Sequence, residues 1–293
     1  MFDIPVAGTH AHSWVMNFAT EYEAFSAYAE LFPDACLLLV DTYDTLKSGV
    51  PNAIRVFDEL RAKGHEPKGI RLDSGDLAYL SKRARKMLDD AGYPDAIICA
   101  SGDLDEYLIT SLKNQGAKID LWGVGTKLIT SADMPALGGV YKLSALYPAS
   151  GGEIAKIKLS DNSDKITNPA FKDVYRIYDK KTGKAEADLI VVRGEKIDES
   201  KPLTVFHPRE IWKKTTFTDY TVRPLTYKVM EHGRLVRPLP ALREITEYAE
   251  REKETFWDEY KRLDNPHVYK VDLSEKLYNI KNALISEIRG ENG

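Results

Sequence analysis

The chain has 293 residues, of which 43% are hydrophobic and 29% charged, as in an ordinary globular protein. Its formal net charge of -4 excludes a generally basic surface for nucleic acid or a membrane. No stretch approaches the roughly 18 apolar residues of a membrane span, and the N-terminus lacks the pattern of a signal peptide. Cys36 and Cys99 both lie in apolar runs, which predicts buried free thiols. We therefore expect a cytoplasmic protein whose partners include neither nucleic acid nor a membrane.

Short apolar runs alternate with amphipathic segments over the first half of the chain. The runs cover 4–7, 36–40, 69–72, 96–100 and 119–122. The segments between them carry apolar side chains at helical spacing, namely Ala53, Phe57 and Leu60, then Leu77, Leu80, Ala84, Met87 and Ala91, then Leu104, Leu108 and Leu112. Pro51 suits a first helical turn, and Gly92 and Gly116 suit helix ends. Buried strands that alternate with helices predict a parallel α/β sheet.

The pattern changes after about residue 150. Alternating runs at 153–160, 174–179 and 188–193, and a candidate hairpin around His232-Gly233, indicate antiparallel strands. Two helices close the chain. The first carries Leu242, Ile245, Ala249, Phe256 and Tyr260 in register, and the second begins with a capping box from Asp272 to Glu275 and ends before Gly290. We expect a partial α/β barrel over 1–150, and over 151–293 a β-rich section with C-terminal helices packing on the barrel.

Polar residues follow each predicted parallel strand. These strand ends read Gly8-Thr9-His10-Ala11-His12-Ser13, Asp41-Thr42-Tyr43-Asp44, Arg71-Leu72-Asp73-Ser74-Gly75-Asp76, Ser101-Gly102-Asp103 and Gly123-Val124-Gly125-Thr126. Because parallel strands end at one edge, these groups are expected to face one site. Each also has a simpler interpretation. The glycine stretch could be a plain turn, the aspartates Asp41, Asp73 and Asp103 could be helix N-caps, and Arg71 could form a surface ion pair.

His10 and His12 could be a metal-binding pair, as in barrel hydrolases that depend on a metal. That interpretation needs further histidines at later strand ends, and the other four lie elsewhere, at His65, His207, His232 and His267. The alternative is a nucleophile or acid–base histidine oriented by a carboxylate, for which Asp41 is the natural candidate. A histidine that merely ties a loop is the remaining option.

The five strand-end motifs, together with the late stretch Tyr260-Lys261-Arg262-Leu263-Asp264-Asn265-Pro266, resemble nicotinate phosphoribosyltransferase in their order and approximate spacing. The resemblance implies an irregular TIM-like (β/α) barrel of the type II phosphoribosyltransferase kind, incomplete here. The implied reaction joins nicotinate to phosphoribosyl pyrophosphate, giving nicotinate mononucleotide and pyrophosphate in NAD biosynthesis. It is coupled to ATP hydrolysis and uses Mg2+.

The same resemblance implies roles for individual residues. His12 is the histidine that is transiently phosphorylated, and Asp41 orients it. Asp73 and Asp103 lie near the ribose hydroxyls and the magnesium, and Arg71 near an anion, either pyrophosphate or the nicotinate carboxylate. The remaining substrate-binding residues are Ser74, Gly75 and Gly102, and the 5′-phosphate loop with Gly123, Gly125 and Thr126.

The chain departs from the family at its start, because members carry a long section before the histidine strand. About six candidate strands precede residue 150, whereas a closed barrel needs eight. We therefore expect a fragment, one piece of a split enzyme, or an inactive phosphate-ligand-binding remnant. The expected partners are a second copy of the chain, the missing N-terminal half, or both. Nicotinamide stays open as the alternative substrate.

Overall fold

The computed structural model describes residues 8–162, 165–210 and 212–290. The chain forms two compact units that divide between Gly138 and Gly139, earlier than the predicted division at 150. The apolar run at 4–7 lies outside the described residues. No helix in the described ranges is long and apolar enough to cross a membrane.

The first unit is built on a four-stranded parallel sheet. Its strands are β1 (Leu37–Leu39), β2 (Gly69–Leu72), β3 (Ile97–Ala100) and β4 (Leu121–Trp122), and they lie side by side in chain order. The predicted parallel α/β arrangement is thereby confirmed. Four strands are half the number in a closed barrel.

Helices connect these strands. They are α1 (His12–Met16), α2 (Glu21–Leu31), α3 (Val50–Ala62), α4 (Leu77–Asp90), α5 (Glu106–Asn114) and α6 (Thr126–Ile129). The predicted apolar faces of α3 and α4 are directed into the core, where Ala53, Phe57 and Ala84 are fully buried. The face predicted for α5 is partly wrong, because Leu104 precedes the helix and Leu108 is 38% exposed. Cys36 and Cys99 are buried free thiols, as predicted.

The second unit is mostly sheet. Its strands are β5 (Ala145–Leu146), β6 (Ile154–Ala155), β7 (Lys172–Asp179), β8 (Ala185–Val192), β9 (Leu203–Phe206), β10 (Lys214–Phe217), β11 (Tyr220–Pro224), β12 (Met230–Glu231), β13 (Arg234–Leu235) and β14 (Lys270–Ser274). Six of them form a sheet in the order β10-β9-β14-β8-β7-β11. The hairpin predicted around His232-Gly233 is confirmed as β12–β13. One pairing differs from the antiparallel expectation, since β14 runs parallel to β8.

Two further helices, α7 (Leu242–Thr255) and α8 (Glu275–Arg289), belong to this unit. The predicted extension of α7 through Phe256 and Tyr260 is wrong, since the helix ends before them. The predicted capping box is also wrong. Ser274 caps α8 by accepting the Leu277 N–H, and Asp272 lies within β14. Helix α8 packs on β8, β9 and β14.

Candidate functional site

The ends of β1, β2 and β3 are joined by side-chain hydrogen bonds. Asp41, just after β1, accepts the backbone N–H of Asp73 and the hydroxyl of Ser74 on the same oxygen, each at 2.8 Å. Its other carboxylate oxygen, Oδ1, is buried without a hydrogen-bond partner. Asp41 therefore fixes the loop that follows β2.

Arg71, Asp73 and Ser101 form a partly buried cluster. Nη2 of Arg71 donates to Oδ1 of Asp73 at 2.7 Å, and Nε donates to the Ser101 hydroxyl at 2.6 Å. The Ser101 hydroxyl donates to the same carboxylate oxygen. Burial works to raise the pKa of Asp73, but the hydrogen bonds from Ser101 and Arg71 outweigh it and hold that pKa below its usual value. The carboxylate is thus ionised at neutral pH, and Nη1 of Arg71 is left for a ligand.

His12 lies beside this cluster, as the first residue of α1. Its Nδ1 is 3.1 Å from the Thr42 hydroxyl, and its Nε2 is 3.9 Å from Oδ2 of Asp73. The predicted contact with Asp41 is therefore replaced by one with Thr42, the next residue along. Thr42 could have been found from the sequence because it lies in the same strand-end motif as Asp41.

His10 holds this segment against the sheet. Its Nε2 accepts the backbone N–H of Leu39 at 3.1 Å, and its ring packs against Phe25 and Tyr28. Burial lowers the pKa of His10 to about 4, so the ring is neutral. The amide of Leu39 occupies the Nε2 lone pair that the metal-pair interpretation would need. His10 is therefore the histidine that ties a loop, and it positions His12 two residues later.

Two glycines allow the strand ends to approach closely. Gly102 has a φ of +107°, and a Cβ there would lie 2.7 Å from the backbone oxygen of Asp73. A Cβ at Gly123 would lie 3.3 Å from Cβ of Ser101. Both positions thus bring backbone against the Arg71 cluster. The predicted residues Gly75, Asp103, Gly125 and Thr126 are exposed.

The helix N-caps are not Asp41, Asp73 or Asp103, the aspartates that the sequence allowed as N-caps. The residues that accept the first-turn N–H groups of the turn at 45–49, α4 and α5 are Asp44, Asp76 and Asp105. Each of these three strand ends thus carries two carboxylates, one that caps a helix and an earlier one that does not. Asp41, Asp73 and Asp103 are therefore not used as caps.

A single turn of π-helix, Thr45–Gly49, follows the first of these loops. A Cβ at Gly49 would lie 1.8 Å from the backbone oxygen of Val40, so only glycine fits there. Ser48 in this turn donates to the buried carboxylate of Glu21 on α2. These contacts fix the backbone that presents Asp41 and Thr42.

A cavity of about 210 Å³ lies beside the glycine stretch. Its lining includes Lys127 but also the carboxylates of Asp105, Glu106 and Asp133. That charge disfavours a phosphate, so the 5′-phosphate loop stays a prediction and gains no support from this cavity.

Magnesium would need carboxylate oxygens among its ligands. Within the ranges that the structure describes, no group of three or more His, Cys, Asp or Glu side chains could hold a metal ion. Magnesium often needs only one or two carboxylates, with substrate phosphates and water completing its shell. Asp103 is exposed and has the right donor chemistry, whereas Oδ1 of Asp73 is already held in the ion pair.

Comparisons with known proteins agree on one family. Residues 171–281 match the family described as "Nicotinate phosphoribosyltransferase C-terminal domain". The nicotinate phosphoribosyltransferase of Bacillus subtilis (strain 168) is 48% identical over 98% of this chain and 58% of its own length. The one from Dictyostelium discoideum is 36% identical over 94% of this chain and 55% of its own. The chain thus spans between half and three fifths of these relatives.

One solved structure gives the same result, and a second shows the fold. The crystal structure of human nicotinic acid phosphoribosyltransferase matches with a TM-score of 0.73 and 26% identity, over 96% of this chain and 62% of that one. Nicotinate-nucleotide pyrophosphorylase from Pyrococcus furiosus, at 20% identity and a TM-score of 0.56, shares the fold. These comparisons confirm the resemblance carried by the strand-end motifs.

Proposed function

We propose that this chain forms the C-terminal part of a nicotinate phosphoribosyltransferase, acting on nicotinate and phosphoribosyl pyrophosphate in NAD biosynthesis. The observation that carries the proposal is the cluster at the ends of β1–β3, where His12, Asp41, Arg71 and Asp73 of the family motifs lie in contact or within 3.9 Å of a neighbour. The names of the relatives support nicotinate over nicotinamide as the base.

The chemistry of the reaction suits these side chains. When the bond from the ribose carbon to pyrophosphate breaks, positive charge builds on the sugar ring and negative charge on the leaving group. Asp73, ionised because of its hydrogen bonds, stabilises the ring charge, and the free Nη1 of Arg71 holds an anionic group. Asp41 keeps Asp73 in place by accepting the backbone N–H of Asp73.

We propose further that His12 accepts a phosphoryl group from ATP, which couples ATP hydrolysis to the transfer. Its ring is 40% exposed, so a substrate can reach it. His12 lies next to Asp73, so a change of charge on the ring alters the electrostatic environment of the proposed ribose site.

Magnesium is proposed as the metal, with Asp103 as its carboxylate and substrate phosphates as the other ligands. When bound, the metal would neutralise the charge that develops on pyrophosphate. The loop Gly123–Thr126, with Gly125 and Thr126 exposed, is proposed to hold the 5′-phosphate through backbone N–H groups.

Strands beyond the four described are proposed to complete a TIM-like barrel, because an open sheet edge leaves unpaired backbone groups. A second copy of the chain, the section that the longer relatives carry, or both would supply what is missing. The isolated chain is then expected to associate with itself or to need that section.

The test is formation of nicotinate mononucleotide from nicotinate, phosphoribosyl pyrophosphate, Mg2+ and ATP. The chain is assayed alone and co-expressed with the part of the Bacillus subtilis relative that lies outside the match. Product in either preparation supports the proposal. Its absence from both, while the intact relative is active under the same conditions, refutes it. Nicotinamide in place of nicotinate tests the base.

Arg71→Met supplies the residue-level test. We expect at least a hundredfold loss of activity, because the anion then lacks its guanidinium. The matched control is Arg61→Met in the same unit. Arg61 pairs with Glu66 on the surface, so its loss should leave activity within about twofold. Equal activities of the two variants would remove Arg71 from the site.

A further inference from the structure

The hydroxyl of Ser101 belongs to a closed ring of three hydrogen bonds. Nε of Arg71 donates to Oγ of Ser101 at 2.6 Å, and Nη2 of Arg71 donates to Oδ1 of Asp73 at 2.7 Å. The Ser101 hydroxyl donates to the same Oδ1, which closes the ring. Because Nε–H and Nη2–H lie side by side on one edge of the planar guanidinium, the ring occupies that whole edge.

The chemistry of the three partners fixes the direction of every bond in this ring. The arginine nitrogens can only donate, and an ionised carboxylate can only accept. The Ser101 hydroxyl has one proton, so it must accept from Nε of Arg71 and give that proton to Asp73. No other arrangement satisfies all three groups, and the hydroxyl is therefore held in one orientation.

The sheet itself holds Ser101 in place. The residue follows β3 directly and is only 7% exposed, and its backbone N–H donates to the carbonyl of Leu72 at 2.9 Å. On its other side Gly123 packs closely, since a Cβ there would lie 3.3 Å from Cβ of Ser101. The hydroxyl is thus presented to Arg71 by a rigid strand end.

The ring decides which atoms of Arg71 and Asp73 remain for a ligand. Within the part of the chain that the structure describes, the hydrogen bonds of the Arg71 side chain use Nε and Nη2, which leaves its Nη1 end. The Arg71 side chain is 26% exposed, so a ligand can reach it. On Asp73, Oδ1 is occupied and Oδ2 lies 3.9 Å from Nε2 of His12.

We propose that Ser101 is the positioning residue of Arg71, occupying its Nε–H so that the Nη1 end of the guanidinium is directed at an anionic group of the substrate. This inference deepens the proposed function, on which its catalytic meaning rests. Without the hydroxyl, Nε–H lacks its acceptor and the guanidinium is held by Asp73 alone. It can then take several orientations, and fixing one of them has to be done at the cost of substrate binding.

The experiment uses two variants of the full chain and one matched control. Ser101→Ala removes the hydroxyl, and Ser101→Cys keeps the side chain near its size but replaces the hydroxyl with a weak donor and acceptor. The control is Ser81→Ala on α4. Ser81 is also fully buried, and its hydroxyl also accepts one N–H, from Lys118, and donates to one oxygen, the carbonyl of Ala78.

The first measurement does not depend on activity. Hydrogen exchange of the Arg71 Nε–H with solvent is followed in 1H–15N spectra, in which this signal is identified by its absence from Arg71→Met. We expect the exchange to be about tenfold faster in Ser101→Ala and Ser101→Cys, the factor set by one hydrogen bond, and unchanged in Ser81→Ala.

The second measurement separates positioning from stability. In the preparation that forms nicotinate mononucleotide, both Ser101 variants should raise KM about tenfold for one anionic substrate, phosphoribosyl pyrophosphate or nicotinate, and leave the other KM within about twofold. The substrate whose KM rises is the one that Arg71 holds. A variant that merely unfolds in part has less active enzyme, which lowers the apparent kcat and leaves both KM values unchanged.

Three outcomes overturn the inference. One is an Arg71 Nε–H that exchanges in the wild-type chain as fast as in free arginine, a result that needs no variant to fold. The others are unchanged KM values in both Ser101 variants, and equal effects of Ser81→Ala and Ser101→Ala. If the exchange responds as expected but no nicotinate mononucleotide forms in any preparation, the proposed function fails and the positioning of Arg71 by Ser101 stands.

Discussion

The approach of Gly102 to Asp73 gives the sharpest test of how the site is held together. In Gly102→Ala the added Cβ would lie 2.7 Å from the Asp73 backbone oxygen, where ordinary contact begins at 3.4 Å. The two must separate by about 0.7 Å. The backbone also has a φ of +107°, which an alanine adopts only with strain.

Gly92→Ala is the matched control in the same unit. Gly92 has a φ of +83°, but no heavy atom lies within 4 Å of a Cβ there. Gly92→Ala therefore adds backbone strain alone, which costs about 1 kcal/mol. Gly102→Ala adds both the strain and the steric overlap, so we expect a further loss of about 1–2 kcal/mol in the free energy of unfolding.

The functional difference should be larger than the difference in stability. A shift of about 0.7 Å at Asp73 disturbs the Arg71 and Ser101 hydrogen bonds, and displacements of this size cost about 10- to 100-fold in rate. Urea denaturation and the nicotinate mononucleotide assay, run on both variants, measure the two effects. If Gly102→Ala matched Gly92→Ala in unfolding free energy and in rate, the close approach would not position Asp73.

Three further predictions concern single side chains. The folded pKa of His10, about 4, lies below its unfolded value of 6.5. The stability that His10 contributes is therefore present above pH 6.5 and falls by about 3 kcal/mol as the pH drops towards 4. In urea denaturation, His10→Gln should remove that part of the pH dependence. Asp105→Ala removes the N-cap of α5, so it should lower the stability by about 1 kcal/mol without changing the activity. Asp103→Ala should lower the activity with little change in stability. The reverse pattern would exchange the roles of the two residues. Arg176→Met leaves Asp188, which is 16% exposed, without its cation, while Glu252 keeps its ion pair with Arg223. We expect the second unit to be destabilised by about 3 kcal/mol in thermal unfolding, and a change under 1 kcal/mol would contradict this.

Local patterns in the sequence predicted β1–β4, α3 and α4 of the first unit, and α5 in part, but not α1, α2 or α6. The predicted runs became β1–β4. The side chains of β1–β3 are mostly buried, as expected for parallel strands, whereas Leu121 in β4 is 39% exposed. The second unit was predicted less completely. The parallel pairing of β14 with β8 joins residues about 80 positions apart, and no local pattern encodes a partner at that distance.

The same limit explains the helix caps. An Asp that follows a strand can cap the next helix or face the strand ends, and two such residues occur in each of three loops. Which one caps depends on where the first helical turn begins, and this is fixed by packing. Asp76 and Asp105 lie at that point, while Asp73 bonds to Arg71 instead.

The sequence by itself determined which residue types meet: a histidine, carboxylates, an arginine and glycines, each at the end of a strand of one parallel sheet. Only the tertiary structure decided which of them touch. Neighbouring side chains in an extended chain point to opposite sides, so Asp41 and Thr42 cannot both face His12. The loop turns Thr42 towards the ring and Asp41 towards Asp73, a choice set by packing between segments about thirty residues apart.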